Sequence, residues 1–265
     1  MTESVVTDVP SDTRSQPTTE LGRIAADSAS RRSKLELSEM VIRSEKLNFF
    51  YDQTAQALFE VDINVPRGQV VAFIGPSGCG KSTFLRMLLS QEQPSRGEIL
   101  LDGSPLPEEP TPDRGIVFQR YSVFPHLTVW QNLWVALQER AETDRPGFIS
   151  RWLSGQRDIQ QSLNSQLSFA GLVNKRDVLA GNLSFGEQRR LELARAMATG
   201  PKLLLLDEPA AGMNQEEIQQ LDDRLQAIRK RGITILLVEH VMELVMGVTD
   251  RIAVLNFGQR NAGGH

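Results

Sequence analysis

Val70-Val71-Ala72-Phe73-Ile74-Gly75-Pro76-Ser77-Gly78-Cys79-Gly80-Lys81-Ser82-Thr83-Phe84-Leu85 is the stretch on which the fold turns. Its first five residues are a continuous apolar run, which reads as a central strand buried on both faces. Gly75 to Ser82 fulfil the pattern G-x-x-x-x-G-K-[ST] in full, and Ser82 to Leu89 can form a helix. The residue types suit one chemistry. Glycines let backbone N–H groups converge on phosphate oxygens, and the start of a helix adds partial positive charge. Lys81 supplies a full charge, and Ser82 offers a hydroxyl to a divalent cation.

Outward from this stretch, strand and helix alternate. Phe59 to Val65 alternates apolar with polar residues, as a half-buried strand does, and Gly97 to Leu101 reads as another strand closed by Asp102-Gly103. Ile116 to Phe118, Leu203 to Leu206 and Ile233 to Val238 are short apolar strands. Asn214 is placed to cap a helix whose Ile218, Leu221, Leu225 and Ile228 share a face, with Gly232 ending it. The alternation predicts an α/β domain with a mainly parallel sheet. From Gln119 to Leu183 helical spacing takes over, as at Ile159, Leu163 and Leu167, so a helical subdomain over about 120–183 is expected inside a domain of 39–265. Residues 1–38 are rich in Ser, Thr, Asp and Pro and are expected to be a disordered extension.

Bulk properties narrow the class. The 265 residues carry a net charge of −4, which disfavours a general nucleic-acid binder, and the single cysteine excludes an internal disulfide. No apolar run approaches the ~20 residues that span a bilayer. Leu203-Leu204-Leu205-Leu206 delivers Asp207 and Glu208 to the carboxyl edge of the predicted sheet, where such folds bind ligands. Asp207 is a candidate for a Mg²⁺ shell and Glu208 for polarising water.

Asn182-Leu183-Ser184-Phe185-Gly186-Glu187-Gln188 resembles the signature sequence of the ATP-binding-cassette (ABC) family, and other family motifs surround it in the family's order. Tyr51 stands where an aromatic stacks on adenine, Gln119 where the Q-loop glutamine lies, Ala211 to Asn214 at the D-loop, and His240 at the switch histidine. The resemblance spans Val41 to Gln259. It implies a P-loop NTPase core with an antiparallel β subdomain and an inserted helical subdomain, and it implies ATP hydrolysis with Mg²⁺. Two cassettes would close head-to-tail on two ATP molecules. Tyr51 and the loop Gly75, Pro76, Ser77, Gly78, Cys79, Gly80, Lys81, Ser82 and Thr83 of one chain would face Ser184, Phe185, Gly186 and Glu187 of the other. Glu208 would activate water, with His240, Gln119 and Lys81 completing the catalytic set and Ser82, Gln119 and Asp207 addressing the metal. Cys79 holds a variable position of the loop pattern and is not read as catalytic. Two residues depart from the family pattern: Phe185 replaces a signature glycine and Asn214 a D-loop aspartate.

Two groups of importer ATPases are resembled. Gly75 to Arg86 and Gly115 to Val129 look like those for phosphate, nitrate, sulfonates or polar amino acids. Ala180 to Glu192, Pro209 to Asn214 and Val238 to Gly247 look like the branched-chain amino-acid type, in which an aromatic also replaces the signature glycine. The expectation is an importer motor lying peripherally on the cytoplasmic face of the inner membrane. Its partners would be transmembrane permease subunits, a second ATPase subunit (identical or different), and an extracytoplasmic solute-binding protein reached through the permease. A soluble ABC ATPase of translation or DNA repair is the alternative. One cassette and the lack of sustained heptads argue against it.

Overall fold

The computed structural model describes residues 39–51, 56–119, 122–143 and 148–264, so the expectation for 1–38 lies outside the described residues. Two sheets carry the chain. The larger runs in the order β10-β9-β3-β8-β7-β6. Its strands are β3 (Val70–Ile74), β6 (Arg114–Val117), β7 (Leu203–Asp207), β8 (Thr234–Val238), β9 (Arg251–Asn256) and β10 (Gln259–Gly264). Every pairing in it is parallel except β10 on β9. The smaller sheet is antiparallel, in the order β2-β1-β4-β5. It comprises β1 (Met40–Phe50), β2 (Gln56–Pro66), β4 (Arg96–Leu101) and β5 (Ser104–Pro105). The predicted parallel α/β core and antiparallel subdomain are both present. Among the described residues no helix is long and apolar enough to cross a membrane.

The central strands are apolar throughout because the large sheet is covered on both sides. Val71, Phe73, Leu203, Leu205, Leu236 and Val238 face one core. They meet Phe84, Leu85, Met87 and Leu88 of α1 (Lys81–Leu88) and the inner face of the antiparallel sheet. The alternate residues Val70, Leu204, Leu206, Ile235 and Leu237 face a second core. That core is built by α4 (Phe185–Ala198), α5 (Gln215–Lys230) and α6 (Met242–Val248). The helical region holds α2 (Val129–Thr143) and α3 (Phe148–Ala170), whose Leu133, Leu163 and Leu167 form a third core. Helix α4 serves two of these cores: Leu193 and Met197 pack toward the sheet, and Leu191, Ala194 and Ala198 toward α2 and α3.

Two sequence readings need adjustment. Phe59 does not share the buried face of Val61 and Ile63. A bulge puts Phe59 and Glu60 opposite the single residue Asn48, with Glu60 at φ 46°, so Leu58 turns inward and Phe59 outward. The Asn48 amide oxygen fixes the bulge by accepting from the Glu60 N–H at 3.2 Å and from Gln56 Nε2 at 2.9 Å. The strand before Gln119 is Arg114–Val117 and leaves Phe118 exposed.

Candidate functional site

The loop between β3 and α1 is held from behind. A Cβ on Gly75 would lie 2.0 Å from the Leu255 carbonyl oxygen. One on Gly80, at φ 101°, would lie 2.5 Å from Leu58 and 2.9 Å from the Ala57 carbonyl. Only glycine allows this approach, which presses the loop against β2 and β9. Lys81 opens α1 and folds back across the loop, donating from Nζ to the carbonyls of Gly75 at 2.7 Å and Pro76 at 2.9 Å. Ser82 is exposed beside it, whereas Thr83 is buried and its hydroxyl shares a 2.7 Å hydrogen bond with the Tyr51 hydroxyl. Phe49 belongs to the core, and Tyr51 stands edge-on to it with 53% of its surface free. Of the neighbouring aromatics, Tyr51 is thus the one that lines the cleft. That cleft, about 390 Å³, is also bounded by Ser77, Gly78, Gln119 and Glu208. Gly75, Pro76 and Cys79 are not among the residues that line it: the first two give their carbonyls to Lys81, and Cys79 is buried.

Across the cleft, strand β7 ends in the acid pair. Glu208 takes a left-handed backbone (φ 48°), with its N–H bonded to the Val238 carbonyl at 2.8 Å. Its carboxylate accepts a 2.7 Å hydrogen bond from Gln119 Nε2 and lies 3.9 Å from His240 Nδ1. Residues 89 and 32 positions away thus converge on one carboxylate. Burial pushes the Asp207 carboxyl above its usual range, and the neighbouring Glu208 charge adds to this, against the pull of Lys81 and Arg86.

Sequence reasoning missed Glu239. It is 1% exposed, and its carboxylate accepts from the N–H groups of Ala210 (2.9 Å) and His240 (2.8 Å) while lying 3.5 Å from His240 Nδ1. It therefore ties together the chain just beyond the acid pair and at the histidine. An acid directly following the apolar run Ile235 to Val238 was the available signal.

The signature residues lie elsewhere. Ser184 caps α4, its hydroxyl accepting from the Glu187 N–H while Glu187 accepts from the Ser184 N–H. Burial alone would raise the Glu187 carboxyl. Lys175, the Ser184 N–H and Arg190 outweigh that and hold it below its usual range. Asn214 caps α5 in the same way with Glu217. The two caps touch: a Cβ on Gly186 would lie 2.5 Å from the Glu217 carboxylate, and one on Gly212 would lie 3.2 Å from the Phe185 ring. Ser184, Gly186, Asn214 and Glu217 line a second cavity of about 260 Å³, none of them among the residues lining the phosphate cleft. Within one chain the loop cleft and the cavity beside Ser184 are thus separate.

A divalent metal fits the loop cleft. Among the described residues no cluster of three His, Cys, Asp or Glu side chains could hold an ion alone. Mg²⁺ needs none, because it is commonly held by one or two protein oxygens together with phosphates and water. Ser82 and the half-buried Asp207, with Glu208 beside it, suit that arrangement.

A strand–loop–helix phosphate site facing an acid pair at the carboxyl edge of a parallel sheet defines a P-loop nucleotide-binding protein. Comparison with known proteins narrows this. Residues 58–211 match the family model for the ABC transporter. The chain is 38% identical over 217 residues to the high-affinity branched-chain amino acid transport ATP-binding protein LivG of Escherichia coli K12, covering 78% of this chain and 85% of LivG. It is also 38% identical over 206 residues to a spermidine/putrescine import ATP-binding protein, PotA 1, of Pseudomonas aeruginosa; there it spans 77% of itself but only about half (54%) of the relative. Among solved structures, cbiO1 of Clostridium perfringens, part of an ABC transporter complex, superimposes with a TM-score of 0.75 at 27% identity, over 85% of this chain and 88% of that one. The chain belongs to the ABC transporter family and is an ABC ATPase.

Proposed function

We propose that this chain is the ATP-hydrolysing subunit of an importer and that branched-chain amino acids are its cargo class. The observation that carries the ATPase assignment is the Glu208 carboxylate, set between Gln119 and His240 across the cleft from Lys81 and Ser82. The cargo reading is supported by the likeness to LivG over most of its length and by the aromatic at Phe185. Its partners are permease subunits, a second ATPase and, through the permease, a solute-binding protein; its place is the cytoplasmic face of the inner membrane.

The residues divide the work. Tyr51 stacks on adenine, and the loop N–H groups with Lys81 hold the phosphates, Lys81 exchanging its carbonyl partners for phosphate oxygens. Glu208 takes the proton of the attacking water, and His240 and Gln119 keep that water in line. Bound Mg²⁺ would neutralise phosphate charge, held by Ser82 and Asp207. Ser184 and the Gly186 N–H serve the γ-phosphate of the partner cassette, because they lie outside their own chain's cleft.

Glu208→Gln should keep ATP binding and lower hydrolysis at least about a hundredfold. It should sediment as a monomer without nucleotide and as a dimer with ATP at about 10⁻⁵ M. Adding Ser184→Arg should abolish the dimer and leave ATP binding to the monomer. Turnover within tenfold of wild type overturns the Glu208 assignment. A dimer indifferent to the Ser184 change overturns the shared site.

A further inference from the structure

Gln119 reaches Glu208 from a loop that is gripped from behind by one helix. Arg189 of α4 is 2% exposed, and its Nη1 donates to the Phe118 carbonyl at 2.7 Å and its Nη2 to the Gln119 carbonyl at 3.2 Å. The same guanidinium bonds Glu192, one turn on, at 2.8 Å. Glu192 in turn accepts the N–H of Ser122. Arg195 donates to the Ser122 carbonyl and covers the Phe124 ring at 4.7 Å. Both ends of segment 118–122 are therefore fastened to a single helix face, the continuation of the helix that Ser184 caps.

We infer that Arg189, with Glu192 as its counter-ion, is a positioning residue for hydrolysis, setting the backbone from which Gln119 holds Glu208. A planar guanidinium can span two successive carbonyls and a carboxylate at once, which an ammonium group cannot. The expense of the arrangement argues for a purpose other than stability. Burying an ion pair commonly returns less than the desolvation it costs, and an apolar pair of similar size would serve the core as well or better. Burial pushes the Glu192 carboxyl above its usual range despite the Ser122 N–H and Arg189. The partners gained are the carbonyls of Phe118 and Gln119, on either side of the Gln119 Cα, the backbone that aims the Gln119 side chain at the reacting carboxylate.

This inference rests on the roles given to Gln119 and Glu208 above, and its test separates the two. The apolar exchange Arg189→Met with Glu192→Leu is made in the wild-type chain and in Gln119→Ala, and kcat, KM for ATP and Tm are measured for all four proteins. In the wild-type background the exchange should lower kcat about tenfold, within the range expected when a positioned group is displaced by about 1 Å. KM for ATP should stay within about twofold and Tm should be unchanged or higher. In the Gln119→Ala background the same exchange should change kcat by less than about twofold, because the group it positions is gone. An equal loss in both backgrounds, a rise in KM in place of the kcat loss, or an unchanged kcat overturns the inference. If Gln119→Ala alone leaves kcat unaltered, the role of Gln119 fails and the inference with it. Should the double exchange not fold, Arg189→Lys keeps the charge beside Glu192 but not the two-carbonyl span, and the same non-additivity with Gln119→Ala decides.

Discussion

At the scale of single residues the sharpest conflict is at Asp207. Its carboxyl is raised above the ordinary value of 3.8 because it is partly buried and sits beside Glu208. The folded chain therefore binds that proton more tightly than the unfolded chain does. Stability from this group is highest below the ordinary value and falls as pH rises through the interval up to the raised one. At neutral pH the charged form stands as a penalty that the fold carries for its function. Asp207→Asn should raise the melting temperature without nucleotide and abolish Mg²⁺-dependent hydrolysis. A scanning-calorimetry trace in which the variant melts lower than wild type would contradict this. Residues of this kind were legible in the sequence when they sat in a contiguous pattern. The loop Gly75 to Thr83, the pair Asp207–Glu208, the signature residue Ser184 and the cap Asn214 each announce themselves by neighbours in the chain. Arg189, Glu192 and Glu239 do not, because charged residues on a helix or at a strand end look solvated until tertiary packing shows them buried.

At the scale of elements, the ends were easier to read than the faces. Helix α5 shows one apolar stripe and a cap, and the structure has both. Removing that cap with Asn214→Ala leaves the Glu217 N–H without its side-chain acceptor, and should cost about 1 kcal/mol. A fall of about 2–4 °C in melting temperature is the expected readout. ATP binding should survive, since Asn214 does not line the phosphate cleft. Helix α4 hides its face because it has two: Leu191 serves the helical core and Leu193 the sheet core, so no single stripe emerges. The Phe59 reading failed for a different reason. A bulge adds a residue that a strict period of two cannot count, and every side chain on one side of it changes face.

At the scale of the whole molecule, α4 makes the helical region and the sheet depend on each other. Leu191→Ala leaves a cavity in the helical core and Leu193→Ala one in the sheet core that α4 helps build, each at a cost of about 2–5 kcal/mol. Because the helix is shared, either change should shift one common unfolding transition. Calorimetry resolving two transitions, with each variant moving only its own, would show that the subdomains melt separately. The overall α/β plan with its helical insertion was readable from alternation and spacing. What was not readable is that one helix joins two cores, since that depends on contacts between segments far apart in the chain.

The inward fold of Lys81 has a kinetic consequence. With its ammonium tied to the Gly75 and Pro76 carbonyls, and the loop backed by Leu255 and Ala57, the phosphate nest is already shaped before any nucleotide arrives. The entropy of ordering it is spent during synthesis and folding, not at each catalytic cycle. Capture then waits for encounter and for one side chain to swing, a rearrangement on the picosecond-to-nanosecond scale for an exposed group. Arrival of ATP should accordingly be quick and insensitive to solvent viscosity beyond the diffusional effect, leaving the pace of the cycle to the meeting and parting of two cassettes.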